Sequence, residues 1–338
     1  MRVKVSIGFA AAVLAAALAG CGNGTVIGST PPPSPTSSPP SVTQEIPITN
    51  LAAKPTGIAV GADNNLYVTL FNPSSITSYN LTNGTFTLFG TTTHAAGPNQ
   101  ITLGPDNNLW FTETTASRIG TITLNTVKEF ALPAGASPYG IVAGPGSNLY
   151  FTEPGINAIG SINTTTQVVA GPYAIPTAGA NPLGIIAAPD TNIWFTENGA
   201  AKIGRLNTVS NTVDREIALS GSQPTDIRVG PDGALWFTEN TPGAPKIGRI
   251  STATGALNEY ALTGAASATA LTVGLDNNFY FADPANNAIG QFNVNTLKTA
   301  EYKIPTANAV PAAITLGPDG KLYFTEQTGN KIGQFSYF

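Results

Sequence analysis

The hydrophobic and polar positions of this chain repeat with a nearly constant period. One copy of the repeat is GPDNNLWFTE, residues 104–113, in which polar turn residues precede a short apolar run. Asp and Asn favour turns because they bond their own backbone, and the apolar run has the character of a strand. Variants begin at residues 61, 104, 144, 188, 230, 274 and 317, so successive starts are 40–44 residues apart. A period in the forties with several short strands per unit predicts a β-propeller.

Each unit contains four predicted strands, and the second unit illustrates them. Pro98–Leu103 is a short β-branched segment, and residues 109–112 are apolar on both faces. Both faces of this second strand should therefore be buried between neighbouring blades. The third strand, Arg118–Ile122, contains Gly120, and glycine inside a strand marks a close approach, here expected from an aromatic ring of a neighbouring blade. The more polar fourth strand, Lys128–Leu132, suits the outer edge of the blade.

The two ends of the repeat region complement each other. Residues 44–48 resemble an outer strand but precede the first inner strand, whereas the last unit offers only three strands before Phe338. Pairing the two ends closes the ring and removes exposed sheet edges, which favour aggregation. The sequence thus predicts an all-β fold over residues 44–338. It is a seven-bladed propeller of four-stranded blades, closed by the strand at residues 44–48.

The first 43 residues have a different character. Arg2 and Lys4 precede an apolar stretch at residues 7–18, which is short for a membrane span. The sequence LAGC then ends at Cys21 and resembles a bacterial lipobox, so residues 1–21 are predicted to be a lipoprotein signal peptide. The alternative is an ordinary signal peptide followed by an unpaired thiol. Residues 22–43 are rich in Pro, Ser and Thr and are predicted to form an extended linker.

These features predict a location in the cell envelope, outside the cytoplasmic membrane. The protein would contact the membrane through a lipid on Cys21. Cys21 is the only cysteine, so no disulfide is expected within a monomer, which is the predicted state. Only 10% of the residues are charged, the net charge is −4 and no basic patch is present, so nucleic acid is not an expected partner.

The candidate binding residues are carboxylates that end the second strand of each unit. They are Glu113, Glu153, Glu197, Glu239, Asp283 and Glu326, and the first unit has Leu70 instead. Antiparallel geometry predicts that all six lie towards one face of the ring, near the mouth of the channel. A purely structural alternative is pairing across the following turn, as in Glu113 with Arg118, Glu197 with Lys202 and Glu326 with Lys331. Glu153 and Asp283 lack such a basic neighbour, which makes them the better candidates for a ligand or cation.

The only histidine, His94, lies in a small polar loop and is expected to be exposed and idle. Nucleophile elbows, nucleotide-binding glycine loops and His/Cys metal clusters are absent from the sequence.

The segments GPDGALWFTE (residues 230–239), KIGRI (residues 246–250) and Glu259-Tyr260 are similar to the repeat of the streptogramin lyases, of which the virginiamycin B lyases are the best known. NHL-repeat propellers are more distantly similar. The resemblance covers residues 44–338. It implies opening of a cyclic depsipeptide antibiotic by elimination at its ester, with magnesium. The family's catalytic histidines follow the first proline of a repeat.

No such histidine is present in this chain. The corresponding residues are Thr56, Asn99, Tyr139, Leu183, Thr225, Thr269 and Ala312. Aligned on the last blades, Thr269 and Ala312 replace the two family histidines, Val310 replaces a magnesium-linked glutamate, and Glu326 keeps the second family glutamate. Elimination needs a base, and an acid or metal to support the leaving group.

The leading hypothesis is therefore a non-catalytic module that binds an unknown small molecule or protein through its acidic channel face, without a cofactor. The alternative is a magnesium-dependent streptogramin B lyase with a rebuilt site, in which Glu326 is the one retained position.

Overall fold

The structure is a computed structural model that describes residues 39–49 and 53–338. Within these residues, 28 strands form seven antiparallel sheets of four strands, which confirms the predicted seven-bladed propeller. The predicted signal peptide, Cys21 and most of the predicted linker lie outside the described residues. No helix in the described part of the chain is long and apolar enough to cross a membrane.

The strands follow the chain blade by blade, except for β1 (Ser41–Pro47), which belongs to the last blade. Blade 1 comprises β2 (Pro55–Val60), β3 (Leu66–Leu70), β4 (Ser75–Tyr79) and β5 (Phe86–Gly90). Blade 2 comprises β6 (Pro98–Leu103), β7 (Leu109–Glu113), β8 (Arg118–Thr123) and β9 (Thr126–Ala131). Blade 3 comprises β10 (Ile141–Ala143), β11 (Asn148–Glu153), β12 (Ala158–Asn163) and β13 (Val169–Ala174), with a 3₁₀ turn at Pro154–Ile156. Blade 4 comprises β14 (Pro182–Ala187), β15 (Ile193–Glu197), β16 (Lys202–Asn207) and β17 (Thr212–Ala218).

The remaining blades have the same order. Blade 5 comprises β18 (Pro224–Val229), β19 (Leu235–Glu239), β20 (Lys246–Ile250) and β21 (Leu257–Ala261). Blade 6 comprises β22 (Leu271–Val273), β23 (Phe279–Asp283), β24 (Ala288–Asn293) and β25 (Lys298–Lys303). Blade 7 comprises β26 (Pro311–Leu316), β27 (Leu322–Glu326) and β28 (Lys331–Ser336), and β1 completes it.

The ring closes as predicted, with β1 antiparallel to β28. The closing strand begins at Ser41, three residues earlier than predicted, because Ser41 pairs with Ser336 and Val42 pairs with Phe335. A bulge at Thr43 separates these pairs from the rest of the ladder, which ends where Pro47 pairs with Lys331. Part of the predicted linker is therefore a strand.

The second strands are buried on both faces, as their apolar character predicted. All five residues of β7 are buried, and Trp110 packs against Ile141, Leu149 and Phe151 of blade 3. The polar edge of the indole is also satisfied, because Trp110 Nε1 donates to Asp106 Oδ1 at 3.0 Å. The turn aspartate of the repeat thus fixes the aromatic side chain that fills the interface between blades.

The glycine of the third strand leaves room for a ring of its own blade. Phe111 lies opposite Gly120 in the ladder, and a Cβ on Gly120 would lie 2.2 Å from Phe111 Cζ. The same contact recurs between Phe195 and Gly204. The expectation that a neighbouring blade supplies this ring is therefore wrong, because the Phe and Gly are cross-strand partners within one sheet.

Threonines of the second strands connect six of the seven blades to the next blade. Thr152 Oγ1 accepts the Gly140 N–H at 2.8 Å and donates to the Leu183 carbonyl of blade 4 at 2.9 Å. Equivalent bridges are made by Thr69, Thr112, Thr196, Thr238 and Thr325. Blade 6 has Ala282 at this position. The innermost strands are thereby held around a central channel.

Candidate functional site

The first strands of the blades surround a cavity of about 360 Å³ on the axis of the ring. Its wall contains backbone and side chains of all seven first strands, most of them small or apolar. Among the described residues that line it, only Asp226 and Arg228 carry a charge. This channel cavity is the candidate ligand site.

Asp226 and Arg228 form an ion pair in the wall of the channel cavity. Arg228 Nη1 donates to Asp226 Oδ1 at 2.6 Å and to the Ile227 carbonyl at 2.8 Å. The carboxylate also accepts the Ile227 N–H and the Leu271 N–H, each at 2.8 Å, so it ties blade 5 to blade 6. Burial raises the pKa of Asp226, against the lowering effects of Arg228 and the two main-chain donors.

Tyr139 and Gln100 line the same cavity from blades 3 and 2. Burial, and secondly the nearby charge of Asp226, raise the pKa of Tyr139, and a hydrogen bond with Gln100 opposes this rise. Tyr139 therefore keeps its proton at neutral pH. Further hydroxyl-bearing residues in the wall are Thr102, Thr225, Thr269, Thr272 and Thr315.

The six carboxylates predicted from the sequence lie elsewhere. Glu113, Glu153, Glu197, Glu239, Asp283 and Glu326 are 0–1% exposed, and none is among the residues that line the channel cavity. They are enclosed within their own blades. Their role in binding a ligand stays a prediction, and the channel cavity is the more accessible candidate.

Most of these carboxyls pair with an acid of the outermost strand. Glu113 lies close enough to Glu129 for the charge of Glu129 to raise its pKa, and Glu129 lies opposite Gly120 in the neighbouring ladder. The equivalent pairs are Glu197 with Glu216, Glu239 with Glu259, Asp283 with Glu301, and Glu326 with Glu45. Two carboxyl groups can form a hydrogen bond only if one of them is protonated. The raised pKa of one member of each pair favours that protonated state.

The pKa shifts show which member of each pair carries the proton. Burial, and secondly the charge of Glu129, raise the pKa of Glu113 to about 8. Although burial opposes it, hydrogen bonds from Thr93 and Thr92 hold the pKa of Glu129 below its usual range. Blade 6 has the reverse order, since burial and Asp283 raise the pKa of Glu301 to about 7.

The basic residues after the turns neutralise the outer acid and not the inner one. Arg118 Nη1 lies 4.0 Å from Glu129 Oε2, and Lys202 Nζ lies 3.7 Å from Glu216 Oε2. In the last blade, Lys331 Nζ lies 3.5 Å from Oε2 of Glu45. The alternative in which Glu113, Glu197 and Glu326 pair directly with these bases is therefore wrong, because the ionised member of each pair lies on the fourth strand or on β1.

Glu153 and Asp283 differ from the others, as their alanine neighbours indicated. Asp283 accepts the N–H groups of Ala266, Ser267 and Asn286 at 2.8–3.1 Å and the Ser267 hydroxyl at 2.6 Å, so it holds a loop together. Glu153 has no fourth-strand acid, and burial alone raises its pKa to about 7. Both side chains are buried, so the absence of a basic neighbour does not make them more available to a ligand or cation than the other four carboxylates.

Comparison with known families decides where this propeller belongs. The model of the virginiamycin B lyase family matches residues 41–243 and 171–337, which together span the propeller. The chain belongs to the virginiamycin B lyase family.

Solved structures agree with this assignment. The chain is 33% identical to a catalytically inactive histidine-to-alanine variant of virginiamycin B lyase from Staphylococcus aureus, solved with quinupristin. That match covers 87% of this chain and 99% of the lyase, with a TM-score of 0.81. A streptogramin B lyase structure is 31% identical over 87% of this chain and 97% of its own, also with a TM-score of 0.81.

More distant structures share the fold alone. The extracellular domain of a hybrid two-component system from B. thetaiotaomicron is 13% identical, with a TM-score of 0.67, over 87% of this chain and 42% of its own. The chain matches none of the curated protein sequences.

The positions of the family's catalytic groups carry different chemistry in this member of the virginiamycin B lyase family. Thr269 and Ala312 line the channel cavity, and Tyr139 is the one titratable residue among the seven that follow the first prolines. His94 is exposed in its loop, as expected.

Magnesium does not fit the residues at these positions. Val310 has no ligand atom in its side chain, and Glu326 is buried beside Glu45, with a pKa that burial raises to about 7. Across the described residues, no group of three or more His, Cys, Asp or Glu side chains could hold a metal ion.

Sequence reasoning missed the charged pair in the channel. The residue at the Asp226 position is Gly57, Gly140 or Gly184 in three other blades, and its neighbours two residues on are small or apolar. Asp226 and Arg228 break this local pattern within a strand that packs between blades. This departure from the pattern was the signal in the sequence that could have identified the pair, but comparison of the repeats draws attention to the residues that the blades share.

Proposed function

We propose that this protein is a non-catalytic member of the virginiamycin B lyase family that binds a ligand in its channel cavity. The observation that carries the proposal is the chemistry of the positions that hold the family's histidines. Thr269 and Ala312 occupy them, and neither side chain can exchange a proton near neutral pH. The channel cavity, which combines polar and apolar groups in a concave wall, has the general character of a ligand site.

A lyase with a rebuilt site is the second candidate. Family membership and the retained Glu326 favour it. Two facts weigh against it. Glu326 is buried and therefore not accessible to a metal ion and its water ligands. Tyr139 has a raised pKa and cannot serve as a base at neutral pH. A single general acid or base typically contributes about 10²–10⁴-fold to a rate, so losing both histidines should reduce turnover to background.

Turnover of streptogramin B antibiotics tests the proposal directly. The purified protein is incubated with virginiamycin B and with quinupristin, with and without magnesium, and ring opening is followed by chromatography. We expect no opening above the uncatalysed rate, and no difference between the wild type and Glu326→Gln. Magnesium-dependent opening that is lost in Glu326→Gln would restore the lyase assignment.

We also propose that the propeller is anchored outside the cytoplasmic membrane through Cys21. The support is the basic and then apolar leader that ends in LAGC at residues 18–21, outside the described residues. One acyl chain binds membranes only marginally, and the resemblance to bacterial lipoproteins implies a diacylglyceryl group. Cys21→Ser should abolish incorporation of labelled fatty acid and leave the protein unprocessed or released. Labelling that persists in this variant contradicts the anchor.

A further inference from the structure

We propose that the channel cavity binds a small monocarboxylate with an apolar tail, and that Arg228 holds the carboxylate. This inference rests on the proposed function, because it names the class of ligand that the binding module would take. It concerns a pair of residues that only blade 5 carries.

The first argument is the balance of donors and acceptors around the ion pair. Asp226 already uses three of its roughly four acceptor sites, since it accepts the N–H groups of Ile227 and Leu271 and one N–H of Arg228. A guanidinium has five N–H donors, and the hydrogen bonds of Arg228 to protein acceptors all come from Nη1. The Arg228 side chain is 35% exposed, whereas that of Asp226 is 15% exposed. The pair therefore presents surplus donors to the cavity, which calls for an acceptor ligand.

The second argument is charge. Asp226 and Arg228 are the only charged residues in the described wall of the cavity. Two main-chain N–H groups stabilise the negative charge of Asp226, so this charge depends less on the guanidinium of Arg228. If burial instead keeps a proton on Asp226, Arg228 is the single charge in the cavity. With a protonated Asp226 the charge of the cavity favours an anion, and with an ionised Asp226 the pair is neutral and the unused donors of Arg228 still call for an acceptor.

The third argument selects one carboxylate over a phosphate or a dianion. A guanidinium matches a planar carboxylate through two parallel hydrogen bonds. One such group is present, and apart from Asp226 the other polar groups in the wall are neutral hydroxyls and amides such as those of Tyr139 and Gln100. These groups can bond the carboxylate edge, but they do not neutralise a second negative charge.

The fourth argument concerns the rest of the ligand. Ala59, Val142, Ile186 and Ala313 line the cavity together with aliphatic residues of the other first strands. The volume of about 360 Å³ lies at the lower end of the roughly 300–1000 Å³ typical of small-molecule sites. A compact alkyl or aryl group therefore suits the space beside Arg228.

Benzoate and benzamide provide a matched pair of probes, because they share a ring and differ in charge. Binding of each to the whole protein is measured by isothermal titration calorimetry and by the shift in melting temperature. We expect benzoate to bind and raise the melting temperature, and benzamide to bind at least about tenfold more weakly, given the strength of charge-assisted hydrogen bonds.

Variants assign the binding to Arg228. Arg228→Gln should weaken benzoate binding at least about tenfold. Arg249→Gln is the matched control, because Arg249 pairs with Asp232 at 2.6 Å outside the cavity, and it should bind benzoate like the wild type. Asp226→Asn keeps the shape and one acceptor oxygen, at the cost of the Leu271 N–H bond, and removes the negative charge beside the guanidinium, so it should tighten benzoate binding. This gain keeps the test decisive if Arg228→Gln does not fold.

The outcomes are distinct from those of the turnover assay. Equal affinity for benzoate and benzamide, or benzoate binding unchanged in Arg228→Gln or weakened in Asp226→Asn, would overturn the carboxylate site. If one of these outcomes is found and the antibiotics are not opened, the proposed binding function stands, but its ligand belongs to another chemical class. Antibiotic turnover overturns the proposed function itself, whatever benzoate does.

Discussion

At the scale of single residues, the second strand of a blade carries three consecutive side chains with three different roles. In β7, the Phe111 ring covers Gly120, Thr112 bonds the backbone of blade 3, and Glu113 is a buried acid whose pKa is raised by burial and by Glu129. The repeat of F-T-E along the chain therefore reflects packing within a blade, attachment between blades and a buried acid pair. These residues are conspicuous in the sequence because they repeat, and their contacts in the structure stabilise the fold.

The close approach between ring and glycine predicts a large effect of a single methyl group. In Gly204→Ala, the new Cβ would lie 2.3 Å from Phe195 Cζ and 2.6 Å from Glu197 Oε1, so either the ring or the acid pair must move. We expect the free energy of unfolding in urea to fall by about 1–3 kcal/mol, as for other overpacked cores. Gly90→Ala is the control, because nothing lies within 4 Å of its added Cβ and its stability should hardly change. Equal stability of the two variants contradicts the packing role.

At the scale of elements, β1 is the strand on which the closed ring depends. Its ladder with β28 runs from Ser41 to Pro47, and Ile46 and Ile48 are buried in the core of the first and last blades. Glu45 also supplies the ionised partner of Glu326 and bonds the Thr306 N–H at 2.9 Å. A segment of a few residues thus contributes hydrogen bonds, apolar burial and charge to the last blade.

Truncation separates the role of β1 from that of the preceding residues. A chain that starts at residue 49 loses the ladder, at about 0.5–1.5 kcal/mol net per hydrogen bond, and bares the edge of β28. We expect a lower melting temperature and concentration-dependent association, measured by calorimetry and sedimentation. A chain that starts at residue 39 should melt like the full-length protein. If both truncated chains melt at the same temperature, β1 does not close the ring.

At the scale of the whole molecule, buried carboxyls with raised pKa values are distributed around the ring. They are Glu113, Glu153, Glu197, Glu239, Glu301 and Glu326, with pKa values of about 7 or 8. In the unfolded chain each would titrate near its ordinary 4.5. Between these values the folded protein holds more protons than the unfolded one, so rising pH favours unfolding.

Stability should therefore fall as pH rises from about 5 to about 8.5. For each such group, the free energy of unfolding falls by about 1.4 kcal/mol per unit of rising pH, between the pKa of the group in the unfolded chain and its pKa in the folded protein. The outer acids, such as Glu129, have lowered pKa values and lose their contribution below their ordinary pKa, which limits stability in acid. Urea unfolding at pH 5, 6.5 and 8.5 measures the slope. Glu113→Gln mimics the protonated acid and should flatten it, whereas stability that rises from pH 5 to pH 8.5 contradicts the raised pKa values.

The sequence alone determined the number of blades, the order of strands and the closure of the ring. Those features follow from local properties, namely turn residues, apolar runs and a period that counts units along the chain. The closure of the ring followed from a count of strands, because the last unit has three strands and an additional strand lies near residue 45. The family resemblance was available for the same reason, since its motif recurs in every unit.

Only the tertiary structure decided the partners of the buried groups and the position of the ligand cavity. Glu197 approaches Glu216 across the third strand because Gly204 has no side chain there, and Glu326 approaches Glu45 because β1 pairs with β28. Asp226 and Arg228 face a cavity that exists only when seven first strands surround one axis. Contacts of this kind depend on register between strands and on closure of the ring, which are properties of the assembled sheets and not of any one segment.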